Sequence, residues 1–165
     1  MSDAEVRAIS ACIQLLALIV AIFTVYITLK TNRAIARRKA TIDFLLTKQT
    51  NEWMLKQRQQ FIKLRQSQTL MNWVARAQSD SDEQRAILAV LNSAEYVAIG
   101  ILNDTFDESL YKDAFRTTYV QDWMDLKPFV KALRSANQAP DAFIKMEGMA
   151  QKWATKDENR KIAAI

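Results

Sequence analysis

The pattern of apolar and polar positions divides the chain into unlike parts. From Ala8 to Leu29 there is no charged residue, no Gly and no Pro, and Gln14 is the one strongly polar position. As a helix those residues extend about 33 Å, enough for a hydrocarbon core of roughly 30 Å. The pattern predicts a transmembrane helix over 8–29, preceded by a short tail, 1–7. The rival reading is a buried core helix, but apolar core stretches are usually shorter. With no Gly or Pro before Gly100, the helix is expected to run on through a basic juxtamembrane segment and stalk, 30–66. In its second part Ile42, Leu45, Leu46, Trp53, Phe61 and Leu64 approximate one stripe, interrupted by Gln49 and Gln57. That stripe fits a stalk pairing with another copy and equally the first helix of a domain.

Residues 67–155 read as a helical domain. Ser79-Asp80-Ser81-Asp82 is a turn and cap cluster, in which Ser81 with Gln84 fits a capping box and Asp80 with Glu83 nearly does. The segment Glu83–Leu102 is apolar almost all round, as expected of a central buried helix. A second membrane span is its rival, opposed by Asn92, Ser93 and Glu95 at its middle. Tyr96–Leu102 has strand-like composition but no partner strand nearby. After a turn at Asn103-Asp104-Thr105, a helix Asp107–Leu126 is expected with Tyr111, Phe115, Tyr119, Trp123 and Leu126 on one face. Pro128 suits the first turn of a separate short helix, Pro128–Ala136. Asn137–Pro140 reads as a loop, then a helix Asp141–Thr155 turns Phe143, Met146, Ala150 and Trp153 inward. Residues 156–165 form a charged tail, expected to extend the last helix or to fray. The fold class is all-α: one transmembrane helix continuing into a helical bundle.

Charge adds an orientation. The net charge of +5 is not spread evenly. Residues 30–39 carry Lys30, Arg33, Arg37, Arg38 and Lys39 with no acid, whereas residues 40–165 hold 17 basic against 16 acidic residues. The excess therefore sits directly after the apolar run. The positive-inside rule puts the C-terminal side in the cytoplasm and the N-terminal tail outside. The same five cations suit anionic lipid headgroups. They already have a topological explanation, so nucleic-acid binding is not expected. The acidic flank and the absence of a small-x-small closure argue against a cleaved signal. Ile9-Ser10-Ala11-Cys12 matches a lipobox in letters, but the apolar run follows Cys12 instead of preceding it. Within the soluble part, residues 80–126 carry three basic and ten acidic residues, flanked by basic segments on both sides. The acidic middle is expected to pair with those neighbours or to face a partner.

Composition narrows the chemistry. The 165 residues include no His, one Cys, two Gly and two Pro. That excludes a Ser-His-Asp triad, a Cys-His pair, a His- or Cys-based zinc site, an intrachain disulfide, a P-loop and a dinucleotide fingerprint. No cofactor or metal is expected. The lone Cys agrees with a reducing compartment. The remaining candidates are two. In the apolar run, Ser10, Gln14, Ala17, Ala21, Thr24 and Thr28 recur at spacings of three and four. Small and hydrogen-bonding residues in such a seam let helices approach closely in lipid. Thr24 and Thr28 can instead bond to their own helix carbonyls. Chance placement and a pore-lining stripe are the alternatives. The second candidate is Glu95, an acid on an apolar helix, expected to form a buried ion pair with Arg116 or Arg134. Such a pair suits packing more often than catalysis, though carboxylate chemistry needs no His.

The run Leu91-Asn92-Ser93-Ala94-Glu95-Tyr96-Val97-Ala98-Ile99-Gly100, Trp123 with Leu126 and Pro128, Arg134, and Met149-Ala150-Gln151-Lys152-Trp153 resemble a family of uncharacterised bacterial and prophage-borne membrane-anchored proteins, a domain of unknown function. The resemblance covers about Ala86 to Trp153. It implies an all-helical cytoplasmic domain and no established activity, and a prophage setting implies exclusion of or defence against other phages. The expected function is a single-pass protein of the bacterial inner membrane, oligomeric, whose cytoplasmic domain binds itself or another protein. The alternative is a membrane-anchored enzyme or sensor using a Glu/Arg pair.

Overall fold

The computed structural model describes residues 2–73 and 81–165; Ser79 and Asp80 of the expected cap cluster lie outside them. Its elements are α1 (Asp3–Thr50), α2 (Glu52–Gln66), a short 3₁₀ turn (Leu70–Trp73), α3 (Asp82–Leu102), α4 (Glu108–Asn137), α5 (Ile144–Trp153) and α6 (Lys156–Ala164). No strand occurs among the described residues, so the fold is all-α. The chain divides into two compact units, one ending at Arg37 and one spanning Arg38–Ile165.

The first unit is a length of α1. It contains a stretch long and apolar enough to cross a membrane. Leu16, Ile22 and Phe23 are each more than 60% exposed among the described residues.

The second unit is a helical bundle in which α2 packs on α3, both α3 and α4 pack on α5, and α4 also meets α6. Phe61, Ile87, Leu91, Val97, Trp123, Leu126, Phe129 and Met146 form its buried core. The helices begin where local chemistry satisfies their first N–H groups. The side chains of Asn51, Ser81 and Asp107 accept from the N–H of Met54, Gln84 and Leu110. Thr155 and Glu158 form a reciprocal capping box at the start of α6.

Four expectations change. The helix from the apolar run does not continue unbroken through 66: it stops at Thr50, and Asn51 starts α2 with extended backbone and its own cap bond. The expected stripe is also rotated. Phe61 and Leu64 are buried and Leu45 packs against the core, but Ile42, Leu46 and Trp53 are exposed, and Thr41 and Phe44 also face the bundle. Next, Pro128 lies inside one continuous α4 rather than opening a second helix. A proline there removes the bond to the Met124 carbonyl at a cost of about 3 kcal/mol. Trp123, Leu126, Phe129, Val130 and Leu133 are all buried along one face across it, and their packing outweighs that loss. Finally, 156–165 neither extends α5 nor frays: it is a separate helix, α6, capped at Thr155 and burying Ile162.

The α3 helix has the length and apolarity of a membrane span, but Ala86, Ile87, Leu91, Val97 and Ala98 are buried in the bundle. Tyr96, Ile99 and Leu102 on its other side are exposed. Where α3 ends, Gly100 gives room to Phe106: an added Cβ would stand 2.6 Å from the ring Cε2. The Gly100 carbonyl accepts from the N–H of Thr105 and Phe106 while Asp104 takes the left-handed conformation. This tight turn brings Phe106 against Phe44 and Tyr96. Next to it, the buried Thr41 hydroxyl accepts from the Asp107 N–H at 2.8 Å, and Arg38 donates to Asp107 Oδ2 at 3.3 Å.

Candidate functional site

Between the end of α1 and helices α2, α3 and α4 lies a cleft of about 200 Å³. Its walls are mostly apolar, from Trp53, Met54, Leu55, Val90, Tyr111 and Phe115. Its polar members include Lys48, Gln57, Arg58, Ser93, Tyr119 and Asp122. Arg58 grips Asp122 with both nitrogens, at 2.5 and 3.0 Å, and Arg65 stands 3.7 Å from the same carboxylate. The Asp122 side chain is only 8% exposed. Burial pushes its carboxyl above the ordinary aspartate value, and Arg58, Arg65 and Lys48 oppose that shift.

Lys48 is the unusual group. Among the described residues it makes no hydrogen bond or ion pair, and its ammonium stands 5.8 Å from the centre of the Phe115 ring. Burial, and next the Arg58 cation, lower its pKa from 10.5, with Asp122 acting the other way. Two further atoms of the lining are buried without a partner, Gln57 Oε1 and Ser93 Oγ. Tyr119 donates its hydroxyl to the Ala94 carbonyl at 3.1 Å, and burial raises both its pKa and that of Tyr111. The cleft thus combines one uncompensated cation, an unused acceptor, an unused hydroxyl and an aromatic wall. No cluster of three or more metal-ligating His, Cys, Asp or Glu side chains occurs among the described residues.

The residues singled out in the sequence are dispersed. Glu95 does not pair with Arg116 or Arg134. Its Oε1 and Oε2 accept from the N–H of Lys145 and Met146 at the start of α5. Phe143 precedes that helix in the left-handed conformation and offers no side-chain cap, so α3 supplies the missing acceptor. Arg116 instead binds Glu158 and the Trp153 carbonyl. Arg134 binds Glu147 and the Ala142 carbonyl, each at 2.9 Å. Each arginine was the wrong partner for Glu95 because each already ties α4 to the segments that follow it. The acidic middle pairs within the chain at Asp107, Glu108, Asp122 and Asp125.

Ser10, Gln14, Ala17, Ala21, Thr24 and Thr28 all lie on α1 and all are exposed. Thr24 and Thr28 donate to the carbonyls of Val20 and Thr24, each at 2.8 Å. Lys30, Arg33, Arg37, Arg38 and Lys39 follow on the same helix.

The model of one family, Domain of unknown function (DUF4760), matches residues 11–153. The chain belongs to that family. The match takes in most of the apolar run as well as the bundle through α5, a wider extent than the Ala86–Trp153 resemblance. No curated protein and no solved structure matches the chain.

The cleft escaped the sequence reading, although two signals pointed to it. Gln57 interrupted an apolar stripe and is buried, and Lys48 lies seven residues after the buried Thr41, on the same face.

Proposed function

We propose that this chain is a single-pass membrane protein of the bacterial inner membrane whose helical body, Arg38–Ile165, lies in the cytoplasm and works through protein–protein contact as an oligomer. The observation that carries the reading is the uncharged helical stretch Ala8–Leu29 followed at once by five cations from Lys30 to Lys39. Large apolar side chains exposed over that length need an apolar medium, and the cations favour the cytoplasmic side.

Self-association rests on the seam from Ser10 to Thr28. The threonine hydroxyls bond to their own helix, so the seam relies on close backbone approach at Ala17 and Ala21 and on the Gln14 amide. The alternative, an enzyme or sensor built on a Glu/Arg pair, loses its geometric basis, since Glu95 is engaged by backbone N–H groups.

The experiment is crosslinking in membranes of the full chain and of a triple variant, Gln14→Leu, Ala17→Ile and Ala21→Ile. The reading expects the oligomer to be lost with the protein still in the membrane. An unchanged crosslinking ladder contradicts the seam. Capture from solubilised membranes as a monomer with nothing bound contradicts the interaction reading altogether.

A further inference from the structure

We propose that the cleft between the end of α1 and helices α2, α3 and α4 is a binding site for a small apolar carboxylate that also carries a hydrogen-bond donor. The inference is independent of membrane anchoring and of self-association.

Charge comes first. Asp122 is neutralised by the bidentate Arg58, and Arg65, 3.7 Å from Asp122, has Asp125 at 3.4 Å as its own counter-charge. The Lys48 ammonium is therefore left without a counter-charge in a half-buried position. Keeping a cation there is unfavourable for the fold alone. An anion in the cleft supplies the partner that the described residues do not, through a charge-assisted hydrogen bond.

Hydrogen-bonding capacity comes next. Gln57 is 9% exposed, and its Oε1 has no partner. A buried acceptor left unmade is costly, and a hydroxyl or amine on the ligand satisfies it. Ser93 Oγ, equally without a partner, can donate to the same ligand. These groups come from three different helices and converge on one space, as in sites that fix a ligand's orientation with a few polar atoms on an apolar wall.

Size and wall complete the class. At about 200 Å³ the cleft falls below the volume of sites for drug-sized molecules, roughly 300–1,000 Å³. Trp53, Phe115 and Tyr111 offer faces for one ring or one branched chain. A bare inorganic anion leaves those faces uncovered, and a long acyl chain exceeds the volume. A ring-bearing or branched hydroxy or amino acid meets all three demands.

The test is isothermal titration calorimetry on the full chain in lipid nanodiscs with three probes. Mandelate carries ring, hydroxyl and carboxylate; mandelamide is its uncharged counterpart; lactate lacks the ring. The expected result is measurable binding of mandelate and at least about tenfold weaker binding of the other two. In Lys48→Gln mandelate is expected to bind about ten- to a hundredfold more weakly, the loss of one charge-assisted bond. That variant removes an unfavourable charge, so its thermal unfolding is expected at or above that of the parent. Ala89→Phe, which fills the cleft without touching charge, is expected to abolish binding as well. No heat from any probe at millimolar concentration overturns the proposal. So does mandelate binding that Lys48→Gln leaves unchanged, or equal binding of mandelate and mandelamide.

Discussion

Glu95 on α3 caps a helix to which it is not joined: its Oε2 stands 2.6 Å from the Met146 nitrogen, in the first turn of α5. Its other oxygen accepts from Lys145 at 3.2 Å. A carboxylate at a helix N-terminus satisfies orphan N–H groups and meets the positive end of the helix dipole. Its role is to lock α5 onto α3. Glu95→Gln keeps an acceptor and is expected to cost about 1 kcal/mol, and Glu95→Ala up to about 2 kcal/mol, in urea unfolding. A neutral Glu95→Ala rules the cap out.

Lys48 is expected to be a residue the fold does better without. Its pKa is lowered from 10.5, chiefly by burial and by Arg58, while Asp122 pulls the other way. A lysine depressed in the folded state destabilises the fold fully below its lowered pKa, and the penalty fades as pH rises toward 10.5. Lys48→Met is therefore expected to gain on the order of 1 kcal/mol at neutral pH. The gain shrinks in alkaline buffer. Thermal unfolding of parent and variant across that range checks both the sign and the trend; a gain that grows with pH contradicts the assignment.

The two glycines should respond in opposite ways to alanine. At Gly100 a Cβ meets the Phe106 ring, so Gly100→Ala is expected to lose about 1–3 kcal/mol, despite alanine's better helix propensity. At Gly148, inside α5, nothing lies within 4 Å of an added Cβ. Gly148→Ala is expected to gain about 0.5–1 kcal/mol. Denaturant midpoints of the two variants decide it, and equal effects contradict the packing described at Phe106.

The Arg58–Asp122 pair gives a third contrast. Removing one partner strands the other, so Asp122→Ala is expected to lose about 3 kcal/mol, the lower end for a buried pair since Arg58 keeps 27% exposure. The double change Arg58→Met with Asp122→Leu is expected to recover most of that. A double variant as unstable as the single one shows that the pair is not the main source of the loss.

The apolar run, the all-α class and the inward faces of α4 and α5 are legible because composition or a local period carries each; α3, apolar almost all round, gives no such face, and its Tyr96, Ile99 and Leu102 are exposed. Met146, Ala150 and Trp153 are buried as the spacing requires. What was not legible depends on contacts distant in sequence. Local chemistry predicts a break at Pro128, but the burial of Phe129, Val130 and Leu133 beyond it overrides the missing N–H. On sequence grounds Glu95 is expected to pair with an arginine, the usual fate of a buried acid. Only the packing of α3 on α5 shows that a helix start is its partner. The cleft was hidden for the same reason: Lys48, Gln57, Ser93 and Asp122 meet only in the folded bundle. Residues 156–165, expected to extend the last helix or to fray, start a new helix because Thr155 and Glu158 form a capping box.

The most direct test of the account is labelling of single cysteines in intact cells with a membrane-impermeant maleimide. In a Cys12→Ala background, one cysteine replaces Ser2 and, in a second variant, Ala163. The account predicts that Ser2→Cys reacts in intact cells and that Ala163→Cys reacts only after the membrane is opened, with both proteins retained in membranes through alkaline carbonate extraction. Release of the protein by carbonate, or labelling with the two positions exchanged, contradicts it.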